Sequence, residues 1–297
     1  MRTLKIEGKT GTSEIVLGES ISNLAKYCEG SETVIITDRN VRALHGASFP
    51  KAEIIEIGIG EHNKTLKTVE GIYEKFLELG LDRSSCVAGI GGGIVCDVAG
   101  FAASTYLRGL KFGFAPTTLL AQVDASIGGK NGVNFKGYKN LVGTFRQPNF
   151  VLCDFEMLKT LPPRELRNGF AEIVKHGAIA DAQLFSYLEE NCKNALAIHR
   201  TAIEKIVYDS LMVKSRIVSL DETEKGERRK LNFGHTFGHA IEKTTGLPHG
   251  EAISIGMVAA ARLSAAKGLL ASKEADRIES LLKALGLPVL ANATRRR

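Results

Sequence analysis

Three of the chain's seven histidines fall within fifteen residues. His235 and His239 stand four apart in LNFGHTFGHA, on one face of a helix, and His249 follows in PHGEA. Clustered neutral imidazoles suit zinc, cobalt or iron, and one carboxylate would complete a nitrogen–oxygen set that leaves a position open for substrate. No glutamate follows His235, so the HExxH arrangement of zinc peptidases is not present. The carboxylate has to come from elsewhere, and Glu172 in GFAEIVKHG is the best candidate. It stands beside Ala171, Ile173 and Val174, where an unpaired carboxylate is costly to bury. Lys175, three residues on, offers a plain ion pair instead, and residue types alone leave both readings open.

A second chemistry is written around a glycine triplet. The apolar run 86–90 (CVAGI) leads directly into Gly91, Gly92 and Gly93 and then into an apolar helix over 94–103. Amides at such a helix start approach a pyrophosphate closely, and the helix dipole favours its charge. The segment is not a GxGxxG fingerprint, because Ile94 occupies the place of the third glycine, so a simple tight turn is the alternative. Asp38, ending the run 33–37 (TVIIT), is placed to accept from a ribose hydroxyl or to cap the next helix. A third cluster occupies residues 116–145, where Asp124, Lys130, Asn131, Asn134, Lys139 and Asn140 alternate with Gly128, Gly129, Gly132 and Gly137. Lysines match phosphate or carboxylate, and amides fix hydroxyls. The alternative is a polar surface loop, but the apolar spacers Val133, Phe135, Leu141 and Val142 predict that the segment packs.

These residues need two kinds of scaffold. In the first half β-branched runs at 33–37, 53–57, 86–90 and 111–115 alternate with helical patterns, among them an amphipathic helix over 65–79 carrying Leu66, Val69, Ile72, Tyr73, Phe76 and Leu79. That predicts a three-layer α/β domain. After Leu158 the periodicity is helical throughout, at 164–178, 182–190, 198–220 and 251–267, and Pro162-Pro163 marks the join. The expected fold is an α/β protein: an N-terminal Rossmann-like nucleotide-binding domain over 1–157, followed by an all-α metal-binding domain over 158–297.

Composition narrows the function classes. At 297 residues with 44% hydrophobic and 24% charged positions the chain is an ordinary globular protein of two domains around one cleft. No apolar run is long enough to span a bilayer, and the first residues do not read as a signal peptide. The net charge of +6 is half accounted for by Arg295, Arg296 and Arg297, and no aromatic-basic motif accompanies it, so an anionic small molecule fits better than nucleic acid or membrane. Five scattered cysteines with no CxxC pair point to a reducing, cytoplasmic compartment.

Together these segments resemble the 3-dehydroquinate synthase family of sugar-phosphate cyclases. The resemblance runs through IITD, GGGIVCDVAGFAASTYLRG, the 116–145 block, LKTLPPRELRNGFAEIVKHG, LNFGHTFGHAIE and PHGEAISIGM. It implies one divalent metal, zinc or cobalt, held by Glu172, His235 and His249. It implies NAD contacted by Asp38, Glu61, Lys64, Gly91, Gly92, Gly93, Asp97, Thr117 and Thr118, with Asp124 and Lys139 beside both ligands. The implied substrate is 3-deoxy-D-arabino-heptulosonate 7-phosphate. Lys130, Asn140, Asn232 and His239 would hold its phosphate, with Arg108 reaching from the neighbouring subunit of a homodimer. Lys214 and Arg228 would hold the carboxylate, with Lys175 near the ring hydroxyls. The implied reaction is a phosphorus–oxygen lyase cycle of transient oxidation, phosphate elimination, re-reduction and aldol closure.

Two departures from the family pattern stand out. Cys96 replaces a usual glycine before Asp97, and nothing in 288–297 matches the Asp-Lys-Lys segment whose lysine reaches the phosphate, an apparently shortened C-terminus. A sister cyclase acting on another sugar phosphate, a metal-dependent alcohol dehydrogenase on the same architecture, and a subunit that only binds ligand are the alternative readings. Lys214, Arg228 and His239 favour a carboxylate-bearing substrate over the first.

Overall fold

The structure is a computed structural model that describes residues 1–291. Arg295, Arg296, Arg297 and most of the segment searched for an Asp-Lys-Lys motif lie outside the described residues. Two compact units are present: Met1–Leu161 with Lys214–Thr223, and Pro162–Val213 with the residues from Glu224 onward.

The first unit is built on a seven-stranded sheet. Its strands are β1 (Arg2–Gly8), β2 (Gly11–Leu17), β3 (Thr33–Asp38), β4 (Glu53–Ile57), β5 (Cys86–Gly91), β6 (Lys111–Pro116) and, after a separate hairpin, β9 (Phe150–Cys153). Their order across the sheet is β1-β2-β9-β6-β5-β3-β4. β1 pairs antiparallel with β2, and every other pairing is parallel. The central strands are apolar on both faces, as a covered parallel sheet requires: Ile35, Ile36, Val87, Ala88, Val151 and Leu152 are all buried. Helices α1 (Arg39–His45), α2 (Leu66–Glu78) and α3 (Gly93–Thr105) make the crossovers. α2 is capped by the Thr65 hydroxyl, which accepts from Thr68 N–H, and buries Val69, Ile72 and Phe76.

The four strands expected from β-branched runs are present, three of them one residue longer at the C-terminal end. Five strands were not expected. β1 buries only Ile6 fully, because an edge strand has little core to face. The 116–145 block is not a loop: it holds a π-helical turn over Ala121–Ala125 and an antiparallel hairpin, β7 (Lys130–Phe135) and β8 (Tyr138–Phe145). The expectation that its apolar spacers pack holds for Val133, which is buried, and fails for Phe135 and Leu141, which are 39% and 59% exposed. Leu141 neighbours Val142, the partner of Val133, and so points to the opposite face of the hairpin, while Phe135 lies beyond a register shift next to the turn.

The second unit is helical: α4 (Pro163–Ala180), α5 (Ala182–Leu196), the first turns of α6 (Arg200–Leu220), α7 (His235–Thr245), α8 (His249–Ala266) and α9 (Ser272–Ala284). Pro162 stands extended as N-cap and Pro163 occupies the first turn of α4, where a missing N–H costs nothing. Among the described residues no helix is long and apolar enough to cross a membrane.

The last residues of α6 and the turn after it, Lys214–Thr223, group with the sheet unit. Glu222 fastens them there. Its carboxylate accepts from Lys9 N–H at 2.8 Å, from Gln147 Nε2 at 2.9 Å and from the Thr10 hydroxyl. Burial alone would raise this carboxyl's pKa; the hydrogen bonds from Thr10, Gln147 and the backbone outweigh burial and lower it. A carboxylate with a lowered folded pKa contributes stability above its unfolded value, about 4.3, and loses that contribution as pH falls through the folded value. Glu222→Gln is therefore expected to cost about 1–2 kcal/mol at neutral pH. In urea unfolding, the gap to wild type should close as pH drops below about 4; a gap that persists in acid would mean the charge is not what matters.

Candidate functional site

In the helical unit α4, α7 and α8 bring two imidazoles to one carboxylate, with a third imidazole beside them. Glu172, in the middle of α4, is 0% exposed, and the Lys175 ammonium, 2% exposed one turn on, makes a close ion pair with its Oε2. On the other side Oε1 lies 3.7 Å from His235 Nε2 and 3.5 Å from His249 Nε2. The rings of His235 and His249 have centroids 5.4 Å apart, and His239 stands 5.2 Å from His235. Neither oxygen of Glu172 accepts a hydrogen bond of acceptable geometry, an unusual state for a buried carboxylate.

The helices reach this proximity through glycines. A Cβ on Gly256 of α8 would lie 2.1 Å from the carbonyl oxygen of Gly234, the N-cap of α7, and one on Gly250 would lie 2.3 Å from the carbonyl of Asn168 on α4. Side chains at those places would force α8 away and take His249 out of reach.

Charge balance around Glu172 is set by its neighbours. Burial would raise its pKa, but Lys175, His249 and His235 hold it well below the usual carboxylate range. For His249, burial lowers the pKa, and the nearby carboxylates of Glu172 and Glu242 outweigh burial and push it up to about 9. One carboxylate oxygen and two imidazole nitrogens with all donor atoms within 4.8 Å of one another make a set that fits zinc or cobalt, the ion taking the place of the imidazole proton. His235 Nδ1 faces the carbonyl of Phe233 at 3.3 Å, which leaves Nε2 toward Glu172. His239 and Glu242 form a second such group with His249. The ion-pair reading of Glu172 is present, and the same carboxylate also meets two imidazoles, as the ligand reading requires.

In the sheet unit the candidate cofactor residues sit where four neighbouring parallel strands end. Asp38 closes β3, Gly91 closes β5, Thr117 and Thr118 follow β6, and Glu61 and Lys64 follow β4. Ligands of open α/β sheets bind at such carboxyl ends. Gly92 is the N-cap of α3 with no side chain capping it, and a Cβ there would meet Thr118 at 3.2 Å, so the start of α3 is bare backbone. That suits a pyrophosphate. Asp38 realises the capping alternative, as its Oδ1 accepts from Val41 N–H at 3.0 Å.

Lys64, nearly buried, donates to Asn140 Oδ1 at 2.5 Å and pairs with Asp97. Burial lifts the Asp97 carboxyl to about 6 against the pull of Lys64. Lys214 pairs with Asp124 on the π-helical turn, donating to its backbone carbonyl as well as its carboxylate; such turns recur at functional sites. Lys139 and Asn140 lie on exposed β8, Asn140 with a φ of 52°, and Lys130 opens β7. Arg108 lies in a turn where Leu107, Arg108 and Gly109 all have positive φ (49°, 68° and 120°). In the helical unit Arg228 is buried, and Asn232 donates to Glu224 at 2.6 Å.

Sequence reasoning passed over Glu224 and Glu242. For Glu242 a signal was available: it stands three residues after His239 and seven after His235 on one helix, hence on the same face.

If Lys175 and the imidazoles are balanced by Glu172, Glu172→Ala leaves a buried lysine unpaired. The expected loss is about 3–5 kcal/mol of stability. Zinc is expected to raise the thermal midpoint of wild type and not of the variant; an equal zinc-induced shift in both would remove Glu172 from the ligand set.

Family models described as 3-dehydroquinate synthase N-terminal and C-terminal match residues 54–168 and 169–296. A 3-dehydroquinate synthase of Pelotomaculum thermopropionicum is 44% identical over 92% of this chain and 76% of its own length. One from Pyrobaculum neutrophilum is 41% identical over 99% of this chain and 84% of its own. Among solved structures, a 2-deoxy-scyllo-inosose synthase complexed with carbaglucose-6-phosphate, NAD+ and Co2+ superposes with a TM-score of 0.88 at 28% identity, covering 98% of this chain and 84% of that one. A 2-epi-5-epi-valiolone synthase from Streptomyces hygroscopicus with NAD+ and Zn2+ bound matches equally well, with a TM-score of 0.88 at 30% identity over 96% of this chain and 84% of its own. Two consecutive family models that between them span the sheet-to-helix join, and relatives above 40% identity over nine-tenths of its length, make this chain a member of the 3-dehydroquinate synthase family.

Proposed function

We propose that the chain is an NAD- and divalent-metal-dependent lyase that converts 3-deoxy-D-arabino-heptulosonate 7-phosphate to 3-dehydroquinate and phosphate. The observation that carries this, beside the family match, is the fully buried Glu172 with His235 and His249 nitrogens at 3.7 and 3.5 Å. When bound, NAD takes up and returns a hydride while the metal acts as a Lewis acid toward substrate oxygens. The remaining roles belong to the chain's own side chains.

Gly91, Gly92 and Gly93 offer backbone amides to the pyrophosphate, and Asp38 accepts from a ribose hydroxyl. Glu61, Lys64, Asp97, Thr117 and Thr118 complete the cofactor contacts. Lys130, Asn140, Asn232 and His239 hold the phosphate, supplying charge where the leaving group develops it. Lys214 and Arg228 hold the substrate carboxylate, and Lys175 orients ring hydroxyls. Asp124, already paired with Lys214, and Lys139 stand beside both ligands.

Arg108 reaches the phosphate of a neighbouring subunit, making the working form a homodimer. The positive φ angles of Leu107 and Arg108 are a costly backbone that function can account for. All five cysteines are free, which fits a cytoplasmic enzyme.

The resemblance to inosose and valiolone synthases makes a sister cyclase the second reading, and the Lys214 and Arg228 pair is what distinguishes them. Phosphate release and dehydroquinate formation from the heptulosonate phosphate with NAD and zinc are the expected result. Activity only on sugar phosphates lacking a carboxylate would favour the sister cyclase. Steady accumulation of NADH would favour a dehydrogenase. Lys130→Ala should raise KM for the phosphorylated substrate about 10- to 100-fold, the worth of one charge-assisted hydrogen bond, and leave NAD binding nearly unchanged. Equal losses for both would remove Lys130 from the phosphate site.

A further inference from the structure

We propose that Glu242 is a positioning residue for the metal centre, holding His249 with its proton on Nδ1 so that the Nε2 lone pair points toward Glu172 and His235. The inference rests on the metal-binding reading above. The two nitrogens of the His249 ring face different carboxylates: Nε2 is 3.5 Å from Glu172 Oε1, and Nδ1 is 3.7 Å from Glu242 Oε2. A neutral imidazole has one donor and one acceptor nitrogen, so fixing the proton on one side commits the other to the ion.

His235 shows the same division of labour built from the backbone. Its Nδ1 faces the Phe233 carbonyl at 3.3 Å, and its Nε2 faces Glu172. His249 is the first residue of α8 with a proline before it, and the group facing its Nδ1 is a side chain from α7. The Glu242 side chain is only 14% exposed, so its charge is enclosed beside the ring rather than dispersed in solvent. Outer carboxylates of this kind orient ligating histidines and raise their basicity.

Glu242 also forms a group with His239 and His249 that would accept a cation directly. With the Glu172 site filled, that use requires His249 to bind through both nitrogens, losing its second ring proton as well, whereas orientation requires nothing beyond the neutral ring. The orienting role is therefore the one the geometry favours.

The test uses the full chain, with zinc affinity measured by competition against a chromophoric chelator. Wild type should bind one zinc, and Glu242→Ala should bind it about 10- to 100-fold more weakly, with partial recovery in Glu242→Asp. In the zinc-loaded wild type, 15N correlation spectra should place the His249 proton on Nδ1. Glu242→Gln, of the same shape, serves if the alanine variant does not fold. Unchanged zinc affinity in variants of a wild type that binds zinc would overturn this inference alone. Two zinc ions per wild-type chain falling to one in Glu242→Ala would also overturn it, by making Glu242 a ligand. A wild type that binds no zinc would remove the metal reading and this inference together.

Discussion

A carboxylate without solvent exposure in the middle of α4 requires positive charge at ion-pair distance, and the helical unit is arranged around that requirement. Lys175 meets it from the same helix, and His235 and His249 meet it from α7 and α8. The glycine contacts at Gly256 and Gly250 exist because α8 must approach α7 and α4 closely enough for the imidazoles to arrive. The chemistry of such a cluster allows its charge to be balanced by imidazole protons or by a divalent ion.

The sheet was legible where apolar or β-branched runs of five or more residues stand out: β3, β5 and β6 are buried along almost their whole length, and the edge strand β4 carries three isoleucines alongside its exposed glutamates. β9 is buried throughout as well, but at four residues it was too short to stand out. β1 was illegible for a different reason, since its pattern has one fully buried side chain and reads as polar chain. The hairpin β7–β8 left no strand signature in the sequence because its glycines and asparagines carry no strand propensity. Its pairing comes instead from register with its own partner, with Gly132 opposite Gly143 and Val133 opposite Val142.

At the site, residue types gave the histidine pair and a plausible carboxylate, but which histidine faces Glu172 is decided by the packing of three helices. His235 and His239 share a helix face at equal sequence standing, and only His235 has an ion-pair distance to Glu172. His249 comes close because α8 begins there, a fact no spacing rule contains. The residues around Asp97 show the same limit: its pairing with Lys64 links positions thirty-three apart through the α3 start and the turn after β4. Glu242 shows the reverse case, a residue on a face already identified whose meaning appears only once its neighbour on α8 is in place.

The segment Lys214–Thr223 belongs to the sheet unit although more than fifty residues of the helical unit precede it in the chain. A unit that is discontinuous in sequence cannot be completed in the order it is synthesised. On the ribosome the first 161 residues emerge with a sheet, yet the Glu222 carboxylate that fastens the β1–β2 turn and Gln147 arrives only after α4, α5 and most of α6. Until then the N-terminal hairpin is held by strand pairing and its own few apolar contacts alone. Final closure of the N-terminal unit is therefore a late event in the life of the nascent chain, tied to the emergence of helices that belong to the other unit.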